Sequence, residues 1–411
     1  MDLSTFVFKT SEIEHPKSEI KMHVLIAPNA FKNSLDATQV ATAIQQGLRL
    51  SKLNCTTECF PIADGGDGTA SLIIEKCNGR LIDKEVHDPL GRKINSSFGL
   101  IDNGQTAVIE MADASGLRLL KKDELDPLQA SSYGTGELIK FALDEGVSKI
   151  IIAMGGSATV DGGCGILNAL GSVFLNAKGI PLRVVPGDLI NMAKVDTSAL
   201  DKRIYDCEIV ILCDVENKLL GPHGSAYVFG PQKGAAPAEV NLLESFLKNF
   251  AKVSAEKLGI DMAGIKHGGA AGGAAAGLHT WLNAKLVNGI DYFLSLTNFS
   301  NVLHGTNLVI TGEGSIDLQT LHGKGPFGVA LMAKMKNIPV IGIAGKIPLE
   351  QDDSLKQYFD VLISINNEPA DMATAMTNTL KNLIRTAVEI GDFYHSAFNA
   401  YKESIIDSPG K

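Results

Sequence analysis

Short apolar runs alternate with stretches of helical periodicity along most of this chain. An apolar run from His23 to Pro28 is followed by apolar residues that recur at helical spacing between Ala37 and Leu48. This order predicts a β-strand, a loop and an amphipathic helix, with Asn33 or Ser34 as the residue that caps the helix. The residues from Glu58 to Cys77 repeat the order through the loop ADGGDGT. The chain therefore opens with two βα units.

The pattern changes after Gly79. Three runs rich in β-branched residues, separated by the turn sequences DPLG and DNG, predict antiparallel strands at Leu81 to Val86, Lys93 to Leu100 and Thr106 to Met111. Strands and helices alternate again beyond this point. The strands predicted there are Lys149 to Met154, Glu208 to Cys213, Asn307 to Ile310, Val340 to Ala344 and Val361 to Ile365, and the main helices are Glu137 to Asp144, Cys164 to Leu170, Pro237 to Leu258 and Ala370 to Gly391.

This alternation predicts an α/β protein of two α/β domains. We expect residues 22–78 and 290–395 to form one discontinuous domain, built on a parallel sheet from both chain ends. Residues 79–289 would form an inserted α/β domain with antiparallel strands near its start. A cleft between the domains is the expected active site. Residues 1–21 lack strong patterning and are expected to form a flexible tail.

Composition and charge narrow the class of partner. The chain of 411 residues is 45% hydrophobic and 20% charged, which is typical of a globular protein, and its net charge is −9. This charge argues against nucleic acid and anionic membranes as partners. Six cysteines without metal-site spacing indicate reduced thiols, and no apolar stretch approaches a membrane span. We therefore expect a cytoplasmic protein that acts on small molecules, and the sequence leaves a homo-oligomer open.

The loop ADGGDGT is the first of four glycine-rich loops that follow predicted strands, at the sheet edge where α/β proteins bind ligands. Gly65 and Gly66 would let a ligand approach the backbone beside a helix N-terminus. Asp64 and Asp67 are suited to hold Mg²⁺ or to accept a proton from a hydroxyl. A simple helix cap by Asp67 or Thr69 explains the same residues equally well.

The second loop, MGGSATVDGG, follows the apolar strand KIIIAM. Its many polar and glycine positions predict an anion cradle of backbone N–H groups and hydroxyls, with a further carboxylate. A tight structural turn is the alternative. The residues concerned are Gly155, Gly156, Ser157, Thr159 and Asp161.

The third loop, ITGEGSIDLQTLHGKG, carries both signs of charge after another strand. Glu313 and Asp317 suit Mg²⁺, whereas a solvated surface pairing would explain the same charges. Its candidate phosphate-binding residues are Gly312, Gly314, His322 and Lys324. The fourth loop, FGPQKGA, adds Lys233 as a weaker candidate.

Several well-known motifs are missing from the sequence, among them the Walker-type phosphate loop, the dinucleotide-binding glycine motif, the GxSxG elbow and the protein-kinase set. Glycine nests for anions, carboxylates for a hard cation and isolated lysines together favour phosphoryl transfer. Because no protein nucleophile is recognisable, a substrate hydroxyl that attacks ATP fits better than a covalent intermediate.

A series of motifs resembles those of one protein family. The motifs occur in colinear order from about Met22 to about Ile390. They read IAPNAFKNSL, PIADGGDGT, EMADASGL, YGTGEL, GGSATVDGGCG, CDVENKLLG, VFGPQKGA, GGAAGGAAAGL and VITGEGSIDLQTLHGKGPFGVA. On these motifs the chain closely resembles the type-1 glycerate kinases.

The resemblance implies ATP-dependent phosphorylation of D-glycerate, with 2-phosphoglycerate as the expected product and with ATP and Mg²⁺ as cofactors. It implies that Asp64 or Asp161 orients or deprotonates the hydroxyl and that Lys32 and Lys324 supply positive charge. The expected substrate contacts are Ser34, Gly65, Gly66, Asp67, Ser157 and Thr159; the expected phosphate contacts are Gly155, Gly156, Lys233, Gly312, Gly314, His322 and Lys324; the expected metal ligands are Glu313 and Asp317.

The chain also departs from the family's usual motifs. The first loop usually reads APDSFKES, and GEGRxD usually carries an Arg where this chain has Ser315. In the first loop the changed positions are Asn29, Ala30 and Asn33. Two further departures, Asp67 and Val160, lie in the later loops. They leave two alternatives open: a kinase of a related hydroxy or sugar acid, and a catalytically silent paralogue that binds glycerate or nucleotide.

Overall fold

A computed structural model describes residues 22–321, 323–350 and 352–406, with side chains described as far as residue 400. The predicted tail at residues 1–21 lies outside the described residues. Thirteen strands run through the described part of the chain. They are β1 (Met22–Ile26), β2 (Cys55–Cys59), β3 (Arg80–His87), β4 (Lys93–Ile101), β5 (Thr106–Glu110), β6 (Lys149–Ala153), β7 (Val173–Leu175), β8 (Lys194–Asp196), β9 (Glu208–Cys213), β10 (Lys285–Asn288), β11 (Leu308–Ser315), β12 (Val340–Lys346) and β13 (Val361–Ser364).

Helices connect most of these strands, beside several short 3₁₀ turns. The α-helices of the described residues are α1 (Ala37–Leu50), α2 (Thr69–Lys76), α3 (Met111–Ser115), α4 (Tyr133–Asp144), α5 (Cys164–Ala169), α6 (Pro186–Leu189), α7 (Ser225–Phe229), α8 (Pro237–Leu258), α9 (Ala274–Leu282), α10 (Gly289–Leu296), α11 (Phe299–Val302), α12 (Gly325–Lys334), α13 (Asp353–Lys356), α14 (Met372–Thr377) and α15 (Thr379–Ile406). No helix within these ranges combines the length and the apolar character that a membrane crossing needs.

The first sheet brings the two ends of the chain together. Its strand order is β13-β12-β11-β1-β2, and every pairing is parallel. The direction of winding reverses between the neighbours β1 and β11. In doubly wound sheets, ligands bind outside the carboxyl ends of the strands at such a switch point. The topology therefore directs attention to the loops that follow β1 and β11.

The second sheet has the order β10-β9-β6-β5-β4-β3. Its first four strands are parallel, whereas β4 and β3 are antiparallel to their neighbours. The antiparallel pairing predicted after Gly79 is thus confirmed, and β5 continues into the parallel part of the sheet. A small antiparallel pair, β7 and β8, lies apart from both large sheets and was missed by the sequence pattern.

One hydrophobic layer lies between the two large sheets. Leu25 and Val309 of the first sheet and Val108 and Val210 of the second belong to the same buried cluster, which also includes Phe293 of α10. Helices α1 and α15 cover the opposite face of the first sheet. The strands divide between the sheets near residues 79 and 289, but the bounds of two separate domains stay a prediction because the sheets share this layer.

Candidate active site

A cavity of about 580 Å³ lies at the carboxyl edge of the first sheet. Loops after strands of both sheets supply its walls, so it occupies the cleft between the sheets. Its charged lining residues are Lys32, Asp64, Asp214, Glu313, Lys324 and Lys346. Two of these, Lys32 and Glu313, come from the switch point, and the backbone N–H of Asn29 joins the two loops there by donating to Gly312 O at 2.8 Å.

Asp64 has one carboxylate oxygen held in place. The side-chain amide of Asn29 donates to Asp64 Oδ2 at 2.9 Å, and the backbone N–H of Gly325 donates to the same oxygen at 3.2 Å. Asn29 is one of the departures from the family's motif, and its amide N–H pairs with the carboxylate. Two ionised carboxylates could not form this contact, so an Asp at position 29 would require a proton on one of the two acids.

Glu313 is a buried carboxylate at the end of β11, with 9% of its surface exposed. Burial raises the pKa of Glu313 to about 7; Asp64 raises it further, while Lys324 and the hydroxyl of Thr320 oppose the shift. Thr320 Oγ1 lies 3.1 Å from Glu313 Oε1 and donates to it. A carboxylate this poorly solvated gains strongly from a cation brought by a ligand.

Lys32 faces several carboxylates from its loop after β1. Desolvation lowers the pKa of Lys32, but Asp214, Asp64, Glu313 and Asp67 outweigh it, and the net result is a raised pKa. Lys32 therefore stays charged across the physiological pH range. A permanent cation at this place suits the carboxylate or phosphate of a substrate.

Asp214 is a site residue that the sequence reasoning did not single out. It follows β9 of the second sheet directly and lines the same cavity as Asp64. Burial raises the pKa of Asp214, the charge of Asp64 raises it further, and Lys32 opposes the shift. The signal was present in the sequence, because Asp214 is the polar residue directly after the apolar run EIVILC.

The loop ADGGDGT packs backbone to backbone against the loop MGGSATVDGG of the second sheet. Gly155 N donates to Gly65 O at 2.9 Å, and a Cβ atom on Gly155 would lie 2.4 Å from Gly66 Cα. Gly65 has a φ of +101°, a conformation that side chains rarely adopt. The glycines of both loops therefore serve a close loop-to-loop contact, and none of Gly65, Gly66, Gly155 and Gly156 lines the cavity.

Glu110 is a second residue that the sequence reasoning missed. This carboxylate, at the end of β5, accepts from Gly68 N at 2.5 Å and from Ala70 N at 2.9 Å. Burial raises the pKa of Glu110 to about 7, although both backbone N–H groups favour its charged form. Glu110 thus caps α2 and ties the loop ADGGDGT to the second sheet.

The polar residues of MGGSATVDGG contact neighbouring loops and backbone, and none of them lines the cavity. Asp161 is fully buried and accepts from Ser132 N, Ser132 Oγ, Gly163 N and Gly165 N at 2.7–3.1 Å. Lys233, also buried, donates to Ser157 Oγ at 2.9 Å and to Thr159 O at 2.7 Å. Burial lowers the pKa of Lys233 to about 7, against the attraction of Asp161 and Asp214.

The structure places the remaining predicted residues as follows. Ser34 and Gly314 line the cavity, whereas Gly312 lies within β11 and closely approaches β12. Asp67 lines a neighbouring groove of about 290 Å³. Asp317 Oδ1 accepts from Gln319 N at 2.8 Å, outside the cavity lining. His322 lies outside the described residues.

Comparisons with known proteins point to one family. A sequence model of the glycerate kinase family matches residues 24–395. The glycerate kinase of Bacillus subtilis is 42% identical over 369 residues, which cover 90% of this chain and 97% of that protein. The glycerate 2-kinase of Escherichia coli is 41% identical over the same length, covering 90% and 97% of the two chains.

A solved structure of similar fold also comes from this family. It is a Salmonella typhimurium protein assigned as glycerate kinase 2, and it shares 41% identity and a TM-score of 0.76 with this chain. The similarity covers 92% of this chain and 100% of that structure. The chain belongs to the glycerate kinase family and is a kinase of this class, with ATP as the implied co-substrate.

Proposed function

We propose that this protein transfers the γ-phosphoryl group of ATP to a hydroxyl of D-glycerate, with 2-phosphoglycerate as the product. The observation that carries the proposal is one cavity in which Lys32, Asp64, Asp214, Glu313 and Lys324 converge. Phosphoryl transfer needs positioned positive charge and a group that receives the proton of the hydroxyl, and this set supplies both.

Two aspartates act on the substrate hydroxyl, one by orienting it and one by accepting its proton. Asp64 has one oxygen engaged by Asn29 and Gly325, whereas the Asp214 side chain accepts no hydrogen bond from another residue in the described part of the chain. We therefore assign Asp214 as the proton acceptor and Asp64 as the group that orients the hydroxyl. The hydroxyl oxygen bonds to the γ-phosphorus as the bond from that phosphorus to the β,γ-bridging oxygen breaks. The proton passes to Asp214, and ADP leaves.

Charge on the transferred group would be met by Lys32 and Lys324. Mg²⁺, when bound, would neutralise the nucleotide phosphates, and Glu313 is the residue we propose to hold it. The described residues contain no cluster of three or more metal-ligating side chains. Such a cluster is not required, because Mg²⁺ is usually bound by one or two carboxylates together with substrate phosphates and water. Asp317 lies away from the cavity lining and contributes less to this proposal.

Product analysis tests the proposal directly. The purified protein is mixed with Mg-ATP and D-glycerate, ADP is assayed, and phosphorus NMR identifies the phosphoglycerate. The appearance of 2-phosphoglycerate with ADP in equal amounts supports the reaction and its regiochemistry. A folded protein that binds ATP but releases no ADP above background would overturn it.

The departures in the first loop and at Ser315 favour testing two further functions. Ala30 and Ser315 both line the cavity, so they alter the space and polarity that the acceptor meets. A panel of hydroxy and sugar acids would reveal a changed acceptor. Calorimetric binding of D-glycerate or ATP without turnover would indicate a silent binding protein.

We also propose a cytoplasmic location, which the six free cysteines support.

A further inference from the structure

One wall of the cavity differs in character from the rest. The segment from Ile365 to Thr379, which follows β13, contributes none of the charged lining residues. Its apolar lining residues are Ile365, Ala370, Met372, Ala375 and Met376. The charged residues of the cavity all come from other loops. The cavity therefore has an uncharged end and a charged end.

The strand order explains this division. Along the carboxyl edge of the first sheet, the order β13, β12, β11, β1 places Ile365 first, then Lys346, then Glu313 and finally Lys32. Adjacent strands lie about 4.8 Å apart, so the three steps span roughly 14 Å. The apolar residue thus lies at one end of this edge and the charged residues follow it, over a distance on the scale of an extended nucleoside triphosphate.

We propose that the apolar wall at residues 365–379 is the subsite for the adenine base of ATP. The triphosphate then runs past Lys346 towards Glu313 and Lys324, and the hydroxy acid lies at the Asp64 and Asp214 end. This inference rests on the proposed function, because it takes ATP as the phosphoryl donor.

The chemistry of each end favours this orientation over its reverse. The faces of a purine ring are apolar and polarisable, and the thioether of Met376 is a suitable neighbour for them. Lys346 is solvent-exposed, lines the cavity and pairs with no acid in the described part of the chain, so it is available to phosphate. The reverse orientation would bring a triphosphate against uncharged side chains and a base against the charged residues of the other end, at a cost in desolvation.

The wall is also held in place without a ligand. Ser34 Oγ donates to Met376 O at 2.8 Å, which ties α14 to the loop after β1. The side-chain amide of Asn366 donates to Gly345 O at 2.8 Å, which ties the segment to β12. A subsite fixed in this way loses less entropy on binding than a mobile segment would.

Two tryptophan substitutions on α14 test the subsite. Ala375 lines the cavity, whereas Ala373 is exposed on the same helix and does not. Affinities for ATP and for inorganic tripolyphosphate, which has no base, are measured by calorimetry on the full chain. Ala375→Trp should weaken ATP binding by about tenfold or more and leave tripolyphosphate binding within about twofold. Ala373→Trp should leave both affinities unchanged.

A second measurement uses the unsubstituted protein. ATP should slow hydrogen exchange of the backbone amides in residues 372–379, and tripolyphosphate should not. Absence of this protection at saturating ATP, or an equal effect of Ala375→Trp on both ligands, would overturn the inference. Both measurements record binding, so they separate this inference from the proposed function. ATP binding at this subsite without transfer to D-glycerate would contradict only the proposed function.

Discussion

Asp214 illustrates how a single residue can combine solvent access with a raised proton affinity. It lines the cavity, is shielded on its protein side, and lies near the charge of Asp64. Asp214→Asn keeps the shape of the side chain but removes its ability to accept a proton. We expect kcat to fall by roughly 10²–10⁴-fold, while ATP affinity stays within about twofold of the original. Steady-state ADP release and calorimetry measure the two quantities. A kcat within tenfold of the original would contradict the assignment.

Asp161 provides the contrasting case. Four donors from its own loop and from Ser132 fill its acceptor positions, and it is fully buried. Asp161→Asn replaces one acceptor oxygen by an NH₂ group that must face donors, so we expect the free energy of unfolding to fall by about 1–3 kcal/mol. Chemical denaturation of both proteins checks this. Unchanged stability with a large loss of kcat would instead return Asp161 to the role predicted from sequence.

At the scale of elements, Glu110 replaces the missing cap of α2. The residue that precedes this helix is Gly68, which has no side chain, and the Glu110 carboxylate accepts from Gly68 N and Ala70 N instead. The cap is carried by a buried acid whose pKa is about 7, against an ordinary value of 4.5. Its protonation in the folded state therefore extends to higher pH than in the unfolded chain.

The sign of the resulting pH dependence follows from linkage. Between pH 4.5 and about 7 the folded protein holds a proton at Glu110 that the unfolded chain has lost, so stability falls as pH rises. The full difference is at most about 3 kcal/mol. Glu110→Gln cannot ionise, so its stability relative to the original protein should rise through this window. Denaturation at pH 5, 6, 7 and 8 measures it, and parallel curves would contradict it. Glu313 contributes a slope of the same sign in both proteins.

The contact between the two glycine-rich loops depends on the absence of side chains. A Cβ atom on Gly155 would lie 2.4 Å from Gly66 Cα and 2.8 Å from Gly66 C, and these backbone atoms cannot rotate away. Gly155→Ala should therefore lower stability by about 1–3 kcal/mol and shift the loop that carries Asp64. As a control, a Cβ atom on Gly187 meets nothing closer than 3.3 Å, so Gly187→Ala should stay within about 1 kcal/mol. Equal effects of the two substitutions on the melting temperature would contradict this account.

Local sequence patterns predicted the elements where local forces decide them. The predicted strand from Glu208 to Cys213 and the predicted helix from Pro237 to Leu258 match the structure residue for residue. The cap of α1 was wrong: Asp36 forms a capping box with Gln39, and Ser34 instead donates to Met376 O across the sheet edge. The predicted last helix is divided at Asn378 into α14 and α15. The contact of Ser34 with Met376 is long-range and leaves no periodic signal, whereas the Asp36–Gln39 capping box is a local signal that the interpretation overlooked.

The site was only partly predictable for the same reason. Asp64, Glu313 and Lys324 were found because each lies near the end of a strand or in the loop after it, whereas Lys32 was predicted from the family resemblance; topology brings all four to one edge. Asp161 and Lys233 lie in loops of the same appearance, but their side chains face inward: Asp161 binds nearby backbone N–H groups and Ser132, and Lys233 binds Ser157 and Thr159. A glycine-rich sequence does not tell whether its polar groups face a ligand or a neighbouring loop.

At the scale of the molecule, the shared hydrophobic layer decides how the two sheets can move. Phe60 packs edge to face against Phe293 and Phe299, with ring centroids 6.5 Å and 5.1 Å apart, inside the cluster that contacts both sheets. Interfaces that are large and apolar restrict relative motion of the parts they join. The cavity is therefore expected to keep its shape in solution, because rotation of one sheet against the other would break this layer.

The same layer predicts that the two sheets unfold together. Leu383 of α15 is fully buried on the far face of the first sheet, whereas Leu380 of the same helix is 48% exposed. Leu383→Ala should cost about 2–5 kcal/mol. Trp281, the only tryptophan, is buried in the core beside the second sheet and stacks on Phe250. Its fluorescence should therefore report the destabilisation from a distance.

Chemical denaturation followed by Trp281 fluorescence and by far-ultraviolet circular dichroism tests this coupling. In a single cooperative unit, Leu383→Ala shifts both transitions to lower denaturant concentration by the same amount. The reason is that the second sheet loses the shared hydrophobic layer once the first sheet has unfolded. Leu380→Ala should shift neither by more than about 0.5 kcal/mol. A fluorescence transition that stays in place while the dichroism becomes biphasic would show two independent domains, and cleft opening by their relative rotation would then become the expected route to the cavity.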